Sequence, residues 1–230
     1  VEAGLRSRDR SMPEEINRMV TDSISDWFFV TEPSGVENLR REGHADDCIH
    51  HVGHVMADNV IHQANLMAGA NSAGMETDAI KQRLGRYGVV TLHRPANVDD
   101  PDALARIATA LRAISAELPL VFPVHPRTQA QIARLSVGLG PDIHLMAPQA
   151  YMSFLHLWKD ATVVLTDSGG LQEETTALGV PCVTLRENTE RPVTVDEGSN
   201  SLAGTDAEKI VALAREVIRT GGRRGRRPEL

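Results

Sequence analysis

Apolar positions in this 230-residue chain fall into two successive series of alternating strand and helix patterns. In the first, Ile16, Met19, Val20 and Ile24 recur at helical spacing from about Pro13, and Ser11 followed three residues later by Glu14 predicts a capping box at the helix start. Trp27–Val30 reads as a short strand, Ser34–Glu42 as a helix stopped by Gly43, Ile49–Val52 as a second strand and 56–68 as a helix. The small-residue stretch Gly69–Gly74 reads as part of a connection.

The second series opens with the strand Gly88–Leu92. Asp100-Pro101 marks the start of a helix whose face is Leu104, Ile107, Leu111 and Ile114. Strand Leu120–Phe122, a helix around Thr128–Leu135, strand Ile143–Met146, helix Tyr151–Trp158 and strand Thr162–Leu165 follow. A helix to Leu178, stopped by Gly179, leads into strand Cys182–Leu185. A Thr205/Glu208 capping box introduces a last helix with Ile210, Leu213, Ala214 and Val217 on one face.

Uniformly apolar strands between amphipathic helices predict an α/β protein with a mostly parallel sheet covered on both faces, whose ligands sit at the carboxyl ends of the strands. Unusual polar residues gather at those ends: His93-Arg94, His125-Pro-Arg127, Ser168-Gly-Gly170 and Arg186 to Arg191. Four loops converge on one mouth. At its centre, Leu165-Thr-Asp-Ser-Gly-Gly-Leu-Gln-Glu-Glu174 is a strand that breaks at a small-residue turn and runs into a helix. Free backbone N–H groups and the positive end of the helix dipole there face one point, a seat for a phosphate. Gly170 and Glu174 stand four apart on one helical face, which puts a carboxylate just beyond that phosphate, where ribose hydroxyls need an acceptor. A turn of this composition also arises for steric reasons alone.

Composition narrows the partners. A formal net charge of -7 argues against nucleic acid, which needs a basic face. The Arg-rich end, Arg223-Arg-Gly-Arg-Arg227, has no interleaved aromatics and reads as a solvated tail. Cys48 and Cys182 are the only cysteines, far apart, and fit a reducing cytoplasm with no metal-ligand spacing. No apolar run is long enough to span a membrane, and no signal peptide opens the chain.

His93, directly behind a strand, can transfer a proton near neutrality, although a loop histidine is the plainer reading. Arg191, Arg127 and Arg186 are candidate partners of a diphosphate. Glu2 and Glu14 flank a loop containing Arg6, Arg8 and Arg10, an arrangement that suits a general acid or base, although a capping-box position alone would account for Glu14.

Val1-Glu-Ala-Gly-Leu-Arg6, Met12-Pro-Glu-Glu-Ile-Asn-Arg18, Thr91-Leu-His-Arg94, Thr166-Asp-Ser-Gly-Gly-Leu-Gln-Glu-Glu174 and Glu190-Arg-Pro192 together resemble, in order over nearly the whole chain, the non-hydrolysing UDP-N-acetylglucosamine 2-epimerases. The resemblance implies a GT-B-like α/β fold of two Rossmann-type parallel-sheet domains, the first incomplete. Residues 1–58 would be the C-terminal part of the first domain, 59–84 a connection, 85–220 the UDP-binding domain and 221–230 a tail. It implies interconversion of UDP-GlcNAc and UDP-ManNAc by loss of UDP and the C2 proton to give a 2-acetamidoglucal, then re-addition with protonation on the other face. Such a route needs carboxylates and cations and no cofactor or metal. Carried over by residue, Glu2, Glu14 and His93 are catalytic, and Arg94 lies with the substrate-binding residues. Ser168, Gly169 and Gly170 form the phosphate turn, Glu174 binds ribose, Arg191 contacts UDP, and Pro148-Gln149-Ala150 holds the uracil through its backbone. A homodimer in the cytoplasm is expected of the complete protein.

The departures are specific. The family's N-terminal region, with a Gly-Thr-Arg-Pro-Glu motif and a His-Gly-Asp motif that supplies a catalytic aspartate, has no counterpart in these residues, and His54 stands where the family usually has Asn. The chain is therefore expected to be a fragment with an exposed sheet edge, to bind UDP weakly and to be inactive by itself. Two alternatives stay open: a GT-B glycosyltransferase, which acceptor-dependent UDP release would reveal, and a non-catalytic UDP-sugar-binding fragment, which would bind UDP without hydrogen exchange at C2.

Overall fold

Each strand is followed by a helix or a long excursion that carries the chain back over its sheet, so neighbouring strands pair in parallel. The computed structural model describes residues 2–69, 75–135 and 138–223. The first series gives α1 (Pro13–Ser23), β1 (Phe28–Val30), α2 (Pro33–Arg41), a 3-10 turn and β2 (Ile49–His51), followed by α3 (Val55–Gly69) and α4 (Asp78–Leu84). The second gives β3 (Gly88–Thr91), α5 (Pro95–Val98), α6 (Pro101–Ser115), β4 (Leu120–Pro123), α7 (Pro126–Arg134) and β5 (Ile143–Met146). It continues through α8 (Tyr151–Trp158), β6 (Val163–Thr166), α9 (Gly169–Leu178), β7 (Cys182–Thr184), α10 (Val193–Asp196), β8 (Asn200–Leu202) and α11 (Ala207–Thr220). β1 and β2 form a two-stranded parallel sheet, and the others a six-stranded parallel sheet of order β5-β4-β3-β6-β7-β8. That order reverses between β3 and β6, where a doubly wound sheet opens its ligand crevice.

Two apolar layers enclose the larger sheet. On one face Val90, Phe122, Leu165 and Val183 pack against Ile107 and Leu111 of α6 and Ile210 and Ala214 of α11. On the other, Val89, Val121 and Val164 meet Val60 of α3, Leu155 and Trp158 of α8 and Leu171 of α9. Successive strand residues thus serve opposite faces. Because α3 packs on α9, the helix between the two sheets rides on the larger one. Among the described residues no helix is long and apolar enough to cross a membrane. The connection expected at 70–74 and the tail expected beyond Arg223 lie outside the described residues.

Three expectations change. Pro13 occupies the first helical position of α1, so the N-cap is Met12; Ser11 Oγ bonds Asp9 instead, at 2.6 Å, and Glu14 is free of any capping box. Asp206, one residue after Thr205, caps α11 by accepting from the Lys209 N–H at 2.8 Å. The apolar stripe of α1 faces outward: Val20 and Ile24 are exposed, while Glu15, Arg18 and Asp22 are buried. The charged face wins because the Glu2–Arg8 loop offers it partners. Asp22 accepts the Gly4 N–H at 3.0 Å and pairs with Arg6 at 2.6 Å, and Glu15 accepts the Ser7 and Arg8 N–H groups, each at 2.9 Å. With Trp27, Phe29 and Val52, that stripe leaves the small sheet with exposed apolar residues.

Gly4 fixes the loop at its tightest point. Its φ is +72°, and a Cβ there would fall 2.2 Å from the Gly35 carbonyl oxygen at the start of α2. Gly4→Ala is expected to destabilise the protein by about 2 kcal/mol or more and to lower its thermal midpoint by several degrees, an effect that a calorimetric scan reads directly. An unchanged midpoint would contradict this account of the loop.

Candidate active site

The chain turns from β6 into α9 at Asp167-Ser168. Ser168 is the N-cap of α9, its Oγ accepting from the Leu171 N–H at 3.4 Å, and its own N–H bonds Thr166 Oγ1 at 2.9 Å. Beside it, fully buried Asp167 organises the loop after β3: it accepts the backbone N–H of His93 at 3.1 Å and of Arg94 at 2.9 Å, and the Asn97 amide at 3.2 Å. His93 Nδ1 lies 2.9 Å from the same carboxylate, which directs Nε2 away from it. His93, Ser168, Gly170, Tyr151, Phe154 and Glu174 line a cavity of about 250 Å³. Glu174 accepts from the Tyr151 hydroxyl at 3.2 Å; burial pushes its pKa up, and neighbouring Glu173 adds to the rise.

Glu2 and Glu14 line a second cavity, of about 260 Å³, with Asn17 and Arg18. Glu14 Oε1 reaches Arg94 Nη1 at 2.7 Å. Glu2 stands between two guanidinium groups, Arg191 Nη2 at 2.6 Å and Arg18 Nη1 at 3.2 Å. Burial pushes the Glu2 pKa up, but Arg191 and then Arg18 outweigh it and the net shift is downward. Among the described residues, Glu2 and Arg8 are the non-glycine residues with positive φ, 60° and 61°, a strain that the Glu15 and Asp22 contacts to their loop sustain.

Arg191 reaches from the turn at Gly169 to Glu2. Nearly inaccessible, it touches Glu2, Glu190 at 2.5 Å and Glu173 at 2.7 Å. It lies against the phosphate turn, where a Cβ on Gly169 would meet Glu190 Oε1 at 2.6 Å and Arg191 Nη1 at 2.7 Å. Burial alone would raise the Glu190 pKa; the hydrogen bond from Arg186 and the charges of Arg191 and Arg186 bring it down to about 2.

Sequence reasoning thus places Glu2 with Glu14, and His93 with Ser168, Gly170 and Glu174, while Arg94 and Arg191 stand between the two groups. Two diphosphate candidates are otherwise engaged: Arg127 pairs with Asp99 at 2.6 Å on the exposed rim, and Arg186 is buried against Glu190 at 2.7 Å. The Gln149 side chain turns back onto the Ala147 carbonyl at 2.9 Å, in the loop after β5. Glu173, His54 and Arg18 were not anticipated as part of the cluster; Glu173 carried a signal only as the neighbour of Glu174.

A doubly wound parallel sheet with a small-residue turn and a helix start at its switch point has the architecture of the GT-B α/β proteins. Residues 1–228 match the family model described as UDP-N-acetylglucosamine 2-epimerase, and the chain belongs to that family. It is 40% identical over 226 residues to a UDP-N-acetylglucosamine 2-epimerase of Methanococcus maripaludis, covering 96% of this chain and 62% of the relative. It is 38% identical to a UDP-2,3-diacetamido-2,3-dideoxy-D-glucuronate 2-epimerase of Pseudomonas aeruginosa, covering 95% of this chain and 60% of that one. The crystal structure of the Methanocaldococcus jannaschii UDP-GlcNAc 2-epimerase in complex with UDP-GlcNAc and UDP is similar at a TM-score of 0.89 and 37% identity, covering 100% of this chain and 64% of that one. The chain therefore spans less than two thirds of the length of these relatives.

Two outcomes test the site. Gly169→Ala is expected to displace Arg191 and Glu190 and to lower the thermal midpoint by several degrees in a calorimetric scan; an unaltered midpoint would separate the turn from Arg191. Glu32, nearly inaccessible beside the cluster, has its pKa pushed up to about 6 by burial, with Glu173 adding to the rise. Its folded pKa exceeds the ordinary 4.5, so ionising it costs stability: the cost is absent below pH 4.5 and complete above about 6. Glu32→Gln is expected to stabilise the protein by about 2 kcal/mol in denaturant melts at neutral pH and by much less at pH 4.5. Equal gains at both values would contradict the assignment.

Proposed function

We propose that this chain carries the leaving-group site and two of the proton-moving carboxylates of a UDP-N-acetylglucosamine 2-epimerase, which interconverts UDP-GlcNAc and UDP-ManNAc. The observation that carries the reading is the charge link between the two cavities: Arg94, next to His93 of the first, pairs with Glu14 of the second, and Arg191, against the turn at Gly169, pairs with Glu2. UDP would lie with its diphosphate on the Ser168-Gly169-Gly170 turn, its ribose against Glu174 and its uracil toward the Pro148-Gln149-Ala150 loop. In the forward step a carboxylate takes the C2 proton, the C2–H electrons form the C1–C2 double bond, and the C1–O bond breaks with its electron pair going to the diphosphate. The dipole of α9, Arg191 and His93 stabilise the departing charge. On return a diphosphate oxygen attacks C1 and the other carboxylate protonates C2 from the opposite face. Glu2, held ionised by two arginines, becomes the stronger base when Arg191 turns to the diphosphate.

The same chemistry at C2 would serve UDP-2,3-diacetamido-2,3-dideoxyglucuronate, the sugar nucleotide named for the Pseudomonas relative, so both are to be assayed. The measurement is deuterium incorporation at C2 in heavy water, made on residues 1–230 and on the chain with whatever its gene encodes ahead of Val1 included. Exchange is expected in the longer form, weak or absent in residues 1–230 alone, and reduced roughly 10²-fold or more by Glu2→Gln or Glu14→Gln. UDP binding without exchange in either form would overturn the epimerase reading in favour of a binding function, and acceptor-dependent UDP release would favour glycosyl transfer.

A further inference from the structure

His54 has no part in that chemistry, yet it is buried and aimed at the charge cluster. It closes the short link between β2 and α3, behind Gly53 at a φ of 78°. Its Nδ1 accepts the Ala57 N–H at 3.3 Å, as an N-cap of α3 would, and its Nε2 contacts Glu173 Oε1 on α9, 119 positions away in the chain. The other Glu173 oxygen lies 2.7 Å from Arg191 Nε but off the hydrogen-bond direction, so charge holds that contact. Arg191 in turn holds Glu2 at 2.6 Å. Cations and carboxylates alternate from the β2–α3 link to the cavity of Glu2.

We propose that His54 is a positioning residue: through Glu173 it sets how firmly Arg191 grips Glu2, and so how available the Glu2 carboxylate is to a proton. The role of Glu2 rests on the epimerase reading. Arg191 is divided among three carboxylates. Glu190 has Arg186 as a second partner and Glu2 has Arg18; among the described residues Glu173 has His54. When His54 is neutral, Glu173 keeps its full charge, draws Arg191 and slackens its grip on Glu2. When His54 is protonated, Glu173 is shared and Arg191 gives more of its charge to Glu2, which becomes the poorer base. Protonation also places a hydrogen on Nδ1 and ends the Ala57 contact. The charged groups facing His54 are Glu173 of α9, Arg191 of the loop after β7 and Glu32 ahead of α2. Burial pulls the His54 pKa down, Glu173 more than reverses this, and Arg191 and Glu32 act in opposite senses.

The test compares His54→Ala with His54→Gln, whose amide N–H can replace Nε2 as donor to Glu173 but does not titrate. For the form that exchanges C2 hydrogen, His54→Ala leaves Glu173 wholly to Arg191 and is expected to raise kcat about tenfold at pH values below the His54 titration, with UDP affinity kept within about twofold. His54→Gln is expected to hold the rate of the enzyme with neutral His54 and to flatten its rise with pH through the His54 titration. Wild-type kcat in His54→Ala, or a wild-type pH profile in His54→Gln, would overturn the proposal. If neither form exchanges C2 hydrogen, the epimerase reading fails separately, and the Arg191 Nε–H resonance in nitrogen-resolved NMR decides the positioning. That resonance is expected to shift in His54→Ala and return in His54→Gln, and an unmoved signal in His54→Ala would overturn it.

Discussion

Arg191 is a buried cation at the meeting point of three segments, and most of the site follows from that placement. Burying a guanidinium is costly unless carboxylates surround it, and each carboxylate brought in then needs a partner of its own. Glu2 comes from the N-terminal loop, Glu173 from α9 and Glu190 from the loop after β7, and the demand passes outward to Arg18, His54 and Arg186. The network ties the two-stranded sheet to the six-stranded sheet with charge, not with apolar packing. It is therefore a specific connection: loss of one member strands the rest.

Two neighbouring pairs of glutamates divide this work. In Glu14-Glu15 the first points across the cleft to Arg94, and the second turns inward to hold the Ser7 and Arg8 amides. In Glu173-Glu174 the first is buried in the cluster, and the second lines the cavity under Tyr151. Adjacent residues on a helix stand about 100° apart, so one of each pair holds the surrounding structure while the other faces an opening.

Local pattern made the six-stranded sheet legible except where elements were short or polar. β8, Asn-Ser-Leu, carries no apolar run, and α5 and α10 are single turns with no periodicity to read. The phosphate turn and Glu174 were legible because composition and a four-residue spacing lie within one stretch of chain. The helix α1 was legible too, but not which way it faces: its outward apolar stripe reflects ion pairs to a loop, and periodicity cannot register those. Family resemblance supplied the catalytic reading of Glu2 and Glu14, whereas their position around a cationic loop left Glu14 open between an acid–base group and a helix cap. His54 was visible only as an odd residue in a connection, since its partner lies more than a hundred residues on.

Because α3 rides on the larger sheet, the backbone passes from β2 to that sheet through residues 52–54. The residue at that crossing, His54, also reaches Glu173 in the charge cluster, so the backbone link and the ionic link between the sheets run through the same few residues.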